Sequence, residues 1–326
     1  MIVRLGGFAI GGLGALTPTA IAQVIPSSDQ TQVRPNPETG ATFDITGGSV
    51  SRDGVNLFHD FQTFDLNLGD VANFATAASI ERILSTISGG EPSRIDGLLR
   101  VTGSQADLYL LNPAGLIFGD HAQLDVPGSF WAMTADRVAF GDRELNVLAS
   151  NDYGTLIGVP TGFGFSAIEP AAIVNFAAMD STGGSVGLVG GTVASTGNLT
   201  ARDAVQIVTV PGSHWLRLDV PGQILGLEFD PMAIEALTAQ TVFTPRSLSD
   251  LLVGTTTTAS RLTVAADGTV SLVGTSEAET LPIEAGDLAI AASTITADRV
   301  QLNADRNLIA TTSTIDANHR RRPRCP

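Results

Sequence analysis

The residues equipped for chemistry are few and scattered. Four histidines, His59, His121, His214 and His319, stand far apart, and no two have the spacing of metal ligands. The single cysteine, Cys325, rules out an intramolecular disulfide and argues against a cysteine-ligated metal. The chain contains no phosphate-binding loop and no His-Glu-x-x-His. Asp65-Leu66-Asn67-Leu68-Gly69-Asp70 carries oxygen ligands at alternate positions but lacks the closing Glu of a calcium loop, so a strand edge and turn is expected. Asp125, Asp136 and Asp142 are the candidates for a carboxylate pair of the kind glycoside hydrolysis needs, yet no pattern sets them on one face. No catalytic residue, metal or cofactor is expected.

The remaining candidate is a turn. In "LLNPAGLIFG" (Leu110–Gly119) an apolar run is cut by Asn112-Pro113-Ala114-Gly115. Pro113 presets φ for the second turn position, Asn112 can accept a hydrogen bond from the chain ahead, and Gly115 relaxes the exit. "DLYLL" and "LIF" then become two sides of one folded coil.

The elements that must position such a turn are strands. The chain of 326 residues is 43% apolar but only 6% aromatic and 16% charged, with 35 glycines and no lysine. That profile suits a turn-rich β protein of small, stackable side chains. "GDLAIAASTITA" (286–297) aligns with "RNLIATTSTIDA" (306–317) at an offset of 20, matching Leu288 with Leu308, Ser293 with Ser313, Thr294 with Thr314, Ile295 with Ile315 and Ala297 with Ala317. Shorter strings recur: "TADRV" at 134–138 and 296–300, "TGGSV" at 46–50 and 182–186, "VPGS-x-W" at 126–131 and 210–215. A 20-residue period with alternating apolar residues predicts the coils of a parallel β-helix. About ten coils at ~4.8 Å would give a rod on the order of 50 Å. Val, Ile and Leu should stack inside, with Thr, Ser and Asn on the outer face and corners. A two-sheet sandwich, the main competitor, predicts hairpins rather than this repeat. "DPMAIEALTA", with Asp230 as N-cap and Pro231 at the first helical position, and "PRSLSDLLVG" (Pro245 to Gly254) read as short helices in an excursion near 230–254.

A charge of −15 argues against nucleic acid. The one basic cluster, Arg320, Arg321, Arg322 and Arg324, falls in a terminal segment broken by Pro323 and Pro326, read as an unstructured tail over 318–326. At the other end, Arg4 precedes a mostly apolar run that closes on Ala20-Ile21-Ala22, the small-x-small pattern of a signal peptide over 1–22, cleaved between Ala22 and Gln23. No later apolar run has the length of a membrane span.

Residues 47–140 resemble a known family in ordered blocks: "NLFHDFQTF" (56–64), "ANF" (72–74), "SRIDGLL" (93–99), "ADLYLLNPAGLIFG" (106–119) and "LDVPGSFWAMTA" (124–135). They are similar to the N-terminal two-partner secretion (TPS) domain of filamentous-haemagglutinin-like exoproteins. The resemblance implies an all-β, right-handed, single-stranded, pectin-lyase-like parallel β-helix with short extra-helical excursions. It implies a secretion domain over 23–140 and a continuing β-helix over 141–317. The implied partner is an outer-membrane transporter with POTRA-type periplasmic domains, and the implied location is secreted or cell-surface, reached through the periplasm of a Gram-negative-type bacterium. Host or cell-surface glycans or proteins are the implied adhesion targets. The family's Asn-Pro-Asn-Gly turn has Ala114 at its third position here. Its Asn-Pro-Asn-Leu motif has no counterpart, since Asn36-Pro37-Glu38 lies too early. His59, inside the first block, is read as structural. The alternative function is that of a β-helix polysaccharide lyase or hydrolase.

Overall fold

A computed structural model describes residues 24–35, 41–218, 224–229, 244–252, 262–267, 269–273 and 280–317. The signal-peptide residues Ala20, Ala22 and Gln23, the Asn36-Pro37-Glu38 segment, the helix expected from Asp230 and the tail at 318–326 lie outside them.

The chain winds as a three-faced parallel β-helix. One face holds seven parallel strands: Asn56–Phe64, Arg82–Ile87, Asp107–Leu111, Phe130–Met133, Val186–Gly190, Ala204–Thr209 and Arg299–Asn303. The second holds six, from Ser93–Ile95 through Leu116–Phe118, Ala172–Asn175, Thr192–Ser195 and Leu288–Ala291 to Leu308–Thr311. The third is divided into two sheets, one running from Thr42–Gly47 to Gln123–Asp125 and the other from Met179–Ser181 to Thr314–Ala317. Asn56 pairs with Arg82, Arg82 with Asp107, Leu108 with Phe130 and Val186 with Val205, so the coils without an excursion between these strands take 26, 25, 22 and 19 residues, while Phe130 pairs with Val186 across the first excursion. In the last two coils the register matches the sequence repeat, with Leu288 beside Leu308, Thr294 beside Thr314, Ile295 beside Ile315 and Ala297 beside Ala317.

Among the described residues the rod is shorter than the repeat suggests. Their seven rungs on the first face span about 29 Å at ~4.8 Å each, because two excursions leave the coil. Residues 137–165 form three strands of an antiparallel sheet that is completed by His214–Leu218 and Ile224–Phe229. A three-stranded antiparallel sheet, Leu262–Val264, Val270–Val273 and Thr280–Ile283, follows the short helix Leu248–Leu252. The coil then resumes, Val193 pairing directly with Leu288. Two of the short repeats prove to be structurally unlike. "TADRV" enters the antiparallel sheet at 134–138 but turns a coil corner at 296–300, and "VPGS-x-W" enters the first face at 126–131 but leaves it at 210–215.

These excursions also correct the expected placement of polar residues. Leu57, Phe61, Ile83, Leu108, Phe130, Leu188 and Ile207 fill the inner core as anticipated. Yet the outward side chains of the first face, Phe58, Leu84, Tyr109, Leu111, Trp131 and Met133, are buried too, under the antiparallel sheet and its Phe163, Phe165 and Leu216. Ile117, Val174 and Ala194, outward on the second face, lie beneath Leu248, Leu251 and Leu252. Strands buried on both sides read as unbroken apolar runs, which explains "DLYLL" and "FWAM". At the N-terminal end, Val24–Pro26, Thr31–Pro35 and Ser49–Val50 run antiparallel to the first strands. They close an edge that would otherwise invite pairing with another chain.

Candidate functional site

The Asn112–Gly115 turn joins Asp107–Leu111 on the first face to Leu116–Phe118 on the second. The Asn112 carbonyl accepts the Gly115 N–H at 3.1 Å, closing a β-turn with Pro113 at its second position. The side chain of Asn112 is wholly buried and fully used. Its Oδ1 accepts the Ala114 N–H at 2.9 Å, while Nδ2 donates to the Glu91 carbonyl and to Ser93 Oγ, both at 3.0 Å. The Asn112 N–H donates to the Met133 carbonyl at 3.0 Å, and the Gly115 carbonyl accepts the Ser93 N–H at 3.1 Å. One asparagine thereby ties the coil below, at 91–93, to the coil above, at 133. A buried amide with all its bonds made is stabilising, and one that loses them is costly.

Ala114, in the place where the family pattern has Asn, is buried as well. Its carbonyl accepts the N–H of Arg246 at 3.1 Å, and the Arg246 carbonyl accepts the Ala172 N–H at 3.0 Å. Arg246 Nη2 reaches Glu91 Oε2 at 3.3 Å. Gly115 has φ +127°, and a Cβ there would meet Leu251 Cδ2 at 3.0 Å. The corner is thus roofed by residues 245–252. Within the roof, Ser247 and Asp250 form a capping box: the Ser247 N–H donates to Asp250 Oδ2 at 3.2 Å, and the Asp250 N–H donates to Ser247 Oγ at 3.3 Å. The expected second helix is therefore present as Leu248–Leu252, while Gly254 lies outside the described residues.

Two further buried asparagines do similar work and escape the sequence motif. Asn175 Nδ2 donates to Ser195 Oγ at 3.1 Å and to the Ala177 carbonyl at 3.2 Å, while its Oδ1 accepts the Ala177 N–H at 3.1 Å. Asn56, at the start of the "NLFHDFQTF" strand, donates to the carbonyls of Leu156 and Gly158 at 2.9 and 2.8 Å, pinning the first excursion to the rod. The signal that could have found Asn175 is an Asn closing an apolar strand, "AAIVN", as in "LYLLN".

The other candidates disperse. His59 is buried against Phe61 and Phe74, with Nδ1 3.3 Å from Thr31 Oγ1, and burial pushes its pKa down to about 4. His121 lies in an exposed turn with Nδ1 3.2 Å from Asp96 Oδ2, and His214 Nδ1 is 2.7 Å from the Gly212 carbonyl. Within Asp65–Asp70, Leu66 bridges Ile95, and Asp70 Oδ2 accepts the Asn67 N–H at 2.8 Å, which makes a strand edge and turn. Asp125 pairs with Arg100 Nε at 2.7 Å; Asp136 is nearly buried, accepting the Ser166 N–H at 3.0 Å with its pKa raised by burial; Asp142 occupies an exposed hairpin turn. The three stand on separate elements. Among the described residues, no group of three or more His, Cys, Asp or Glu is placed to hold a metal, and no helix is long and apolar enough to cross a membrane.

No curated protein matches this chain. Solved structures similar to it include the HMW1 secretion domain from Haemophilus influenzae, at 14% identity and TM-score 0.46, over 86% of this chain and 57% of that one. The filamentous hemagglutinin secretion domain is similar at 14% identity and TM-score 0.45, over 88% of this chain and 99% of that one. The chain thus spans little more than half the length of the HMW1 structure. Residues 22–232, well over half of the sequence, match the family model described as the TPS secretion domain, and the chain belongs to that family.

Proposed function

We propose that this chain is an exported substrate of the two-partner pathway, recognised in the periplasm by the POTRA-type domains of an outer-membrane transporter and released to the medium or the cell surface. There it binds host or cell-surface glycans or proteins. The observation that carries the reading is the secretion-domain match over residues 22–232, which contains the Asn112–Gly115 corner. The fold supports it. A chain that crosses a membrane unfolded must fold on the far side without ATP, and each coil that stacks on its predecessor adds backbone hydrogen bonds and buried apolar area.

Within that pathway the Asn112, Pro113, Ala114 and Gly115 turn acts in folding its coil, with transporter contact secondary. Its burial supports this role, since a buried asparagine offers a partner nothing while it holds two coils together. Co-expression with the cognate transporter tests the reading. The intact chain should appear in the medium, and deletion of residues 47–140 should abolish export while leaving synthesis intact. Normal export of the deletion would overturn it. Asn112→Ala combined with Pro113→Ala should slow refolding and lower export together. A variant that refolds at the normal rate but stays inside would assign the turn to direct recognition instead.

A further inference from the structure

The roof over the corner comes from outside the matched family region: the match ends at residue 232, and the covering segment is 244–252. It engages the corner on three sides. The main chain of Arg246 bridges two coils, its N–H donating to the Ala114 carbonyl at 3.1 Å and its carbonyl accepting the Ala172 N–H at 3.0 Å. Its guanidinium reaches Glu91, whose carbonyl is already held by Asn112. Leu251, fully buried, fills the space beside Gly115, and its carbonyl accepts from Arg94 Nη2 at 3.4 Å.

The order of these partners along the chain is informative. Glu91, Ser93 and Met133, which hold Asn112 and Gly115, all lie before residue 134. The turn can therefore close as soon as its neighbouring coils exist. Until residues 244–252 are added, the Ala114 carbonyl lacks its donor, and the apolar face made by Gly115, Ile117, Ala172 and Val174 lacks Leu248, Leu251 and Leu252. An open backbone acceptor beside an apolar hollow can take a main-chain donor and an apolar side chain from a peptide, the two kinds of contact that Arg246 and Leu251 make here. In the finished fold it is occupied from within.

We propose that residues 244–252 are an intramolecular latch: they close over the Asn112–Gly115 corner late in folding, so that the corner is open to the export machinery only before they arrive. The proposal rests on the two-partner export reading for the identity of that machinery. Closure removes the site from the folded product and so favours release over rebinding, because a partner that competes with a tethered segment faces a high effective concentration.

The test uses the full chain carrying Leu251→Asp, which places a carboxylate in the hollow, and Leu251→Ala, which empties it without charge. Circular dichroism establishes that each variant retains the β-helix. Amide hydrogen exchange over residues 111–118 should then be at least tenfold faster than in the parent, with the Arg82–Ile87 strand unchanged. The folded variants should also bind the isolated periplasmic domains of the cognate transporter at least tenfold more tightly than the folded parent does. Unchanged exchange at the corner in both variants would overturn the latch. Faster exchange with equal affinity for the transporter domains would overturn the gating. If the transporter domains bind no form of the chain, including chain freshly diluted from denaturant, the export reading and the gating fall together, while the exchange measurement still reports on the latch itself.

Discussion

The main-chain N–H of Arg246 donates to the carbonyl of Ala114 at 3.1 Å, across 132 residues of sequence. Because Leu251 follows on the same short segment, Gly115 is constrained twice, by its φ of +127° and by the Leu251 methyl 3.0 Å from where a Cβ would stand. Gly115→Ala therefore incurs both backbone strain and a contact that must give. We expect a loss of about 2 kcal/mol or more in denaturant unfolding of the full chain. Adding Leu251→Ala should relieve the contact but not the φ. The double variant should accordingly lose less than the sum of the two single losses, and strict additivity would refute the contact.

Asn112 offers a sharper division of roles. Its Oδ1 serves the turn, through Ala114, and its Nδ2 serves the coil below, through Glu91 and Ser93. Asn112→Asp keeps the acceptor and removes both donors, setting a buried carboxylate against the Glu91 carbonyl. At neutral pH it should be the more damaging change, exceeding the roughly 2–3 kcal/mol expected of Asn112→Ala. Since protonation restores a donor, the deficit of Asn112→Asp should shrink as pH falls towards 4. Equal deficits at pH 7 and pH 4 would show that the donors do not matter. Ser93→Ala should reproduce only a part of the Asn112→Ala loss.

Much of this was legible in the residues. The pairing of Leu288 with Leu308 and of Ile295 with Ile315 could be read from a bare alignment, because in a β-helix the sequence period is also the hydrogen-bonding register. The corner at Asn112 could be read because turn chemistry is local. The roof could not. Nothing in "PRSLSDLLVG" says that Leu251 meets Gly115, since that contact depends on where an excursion returns to the rod. The same cause misplaced the polar residues. An outer face is apolar when another sheet covers it, and Trp131 or Met133 cannot announce the antiparallel sheet that will pack on them. "TADRV" failed as a repeat for a related reason: five residues fit equally well into a corner and into the start of an excursion.

His59 gives a pH dependence with a definite direction. Held in the core beside Phe61 and Phe74, it stays neutral down to about pH 4, whereas an unfolded histidine takes up its proton near 6.5. Between those values the unfolded chain binds a proton that the folded chain does not. Stability attributable to His59 is thus full above about pH 6.5 and is lost as pH falls towards 4, by about 3 kcal/mol in all. Asp107 and Asp136, whose pKa values are raised by burial, act in the opposite direction as they take up protons. The measurement is therefore the difference between the parent and His59→Phe in urea unfolding from pH 8 to pH 4. The gap should move in favour of the variant as pH falls, and a gap that is constant with pH would show that His59 titrates normally in the fold.

The terminal coils provide a matched pair that separates position in the repeat from burial. Leu288 and Leu308 are stacked neighbours in the same register, yet Leu288 is fully buried while Leu308 is 50% exposed. Ile295 and Ile315 differ in the same way, at 0% and 47%. Their shared pattern makes them equivalent in sequence, and what distinguishes them is that, among the described residues, a further coil stacks only on Leu288 and Ile295. Truncating a buried leucine removes its transfer free energy and leaves a cavity, so Leu288→Ala should cost about 2–5 kcal/mol. Leu308→Ala removes a side chain that is still half in water, and should cost under about 1 kcal/mol. Losses of similar size at the two positions would mean that the last coil is covered in solution. Extending the chain by one further repeat of the 286–297 pattern should then leave Leu308→Ala unchanged, whereas with Leu308 half-exposed it should raise the cost of Leu308→Ala towards that of Leu288→Ala.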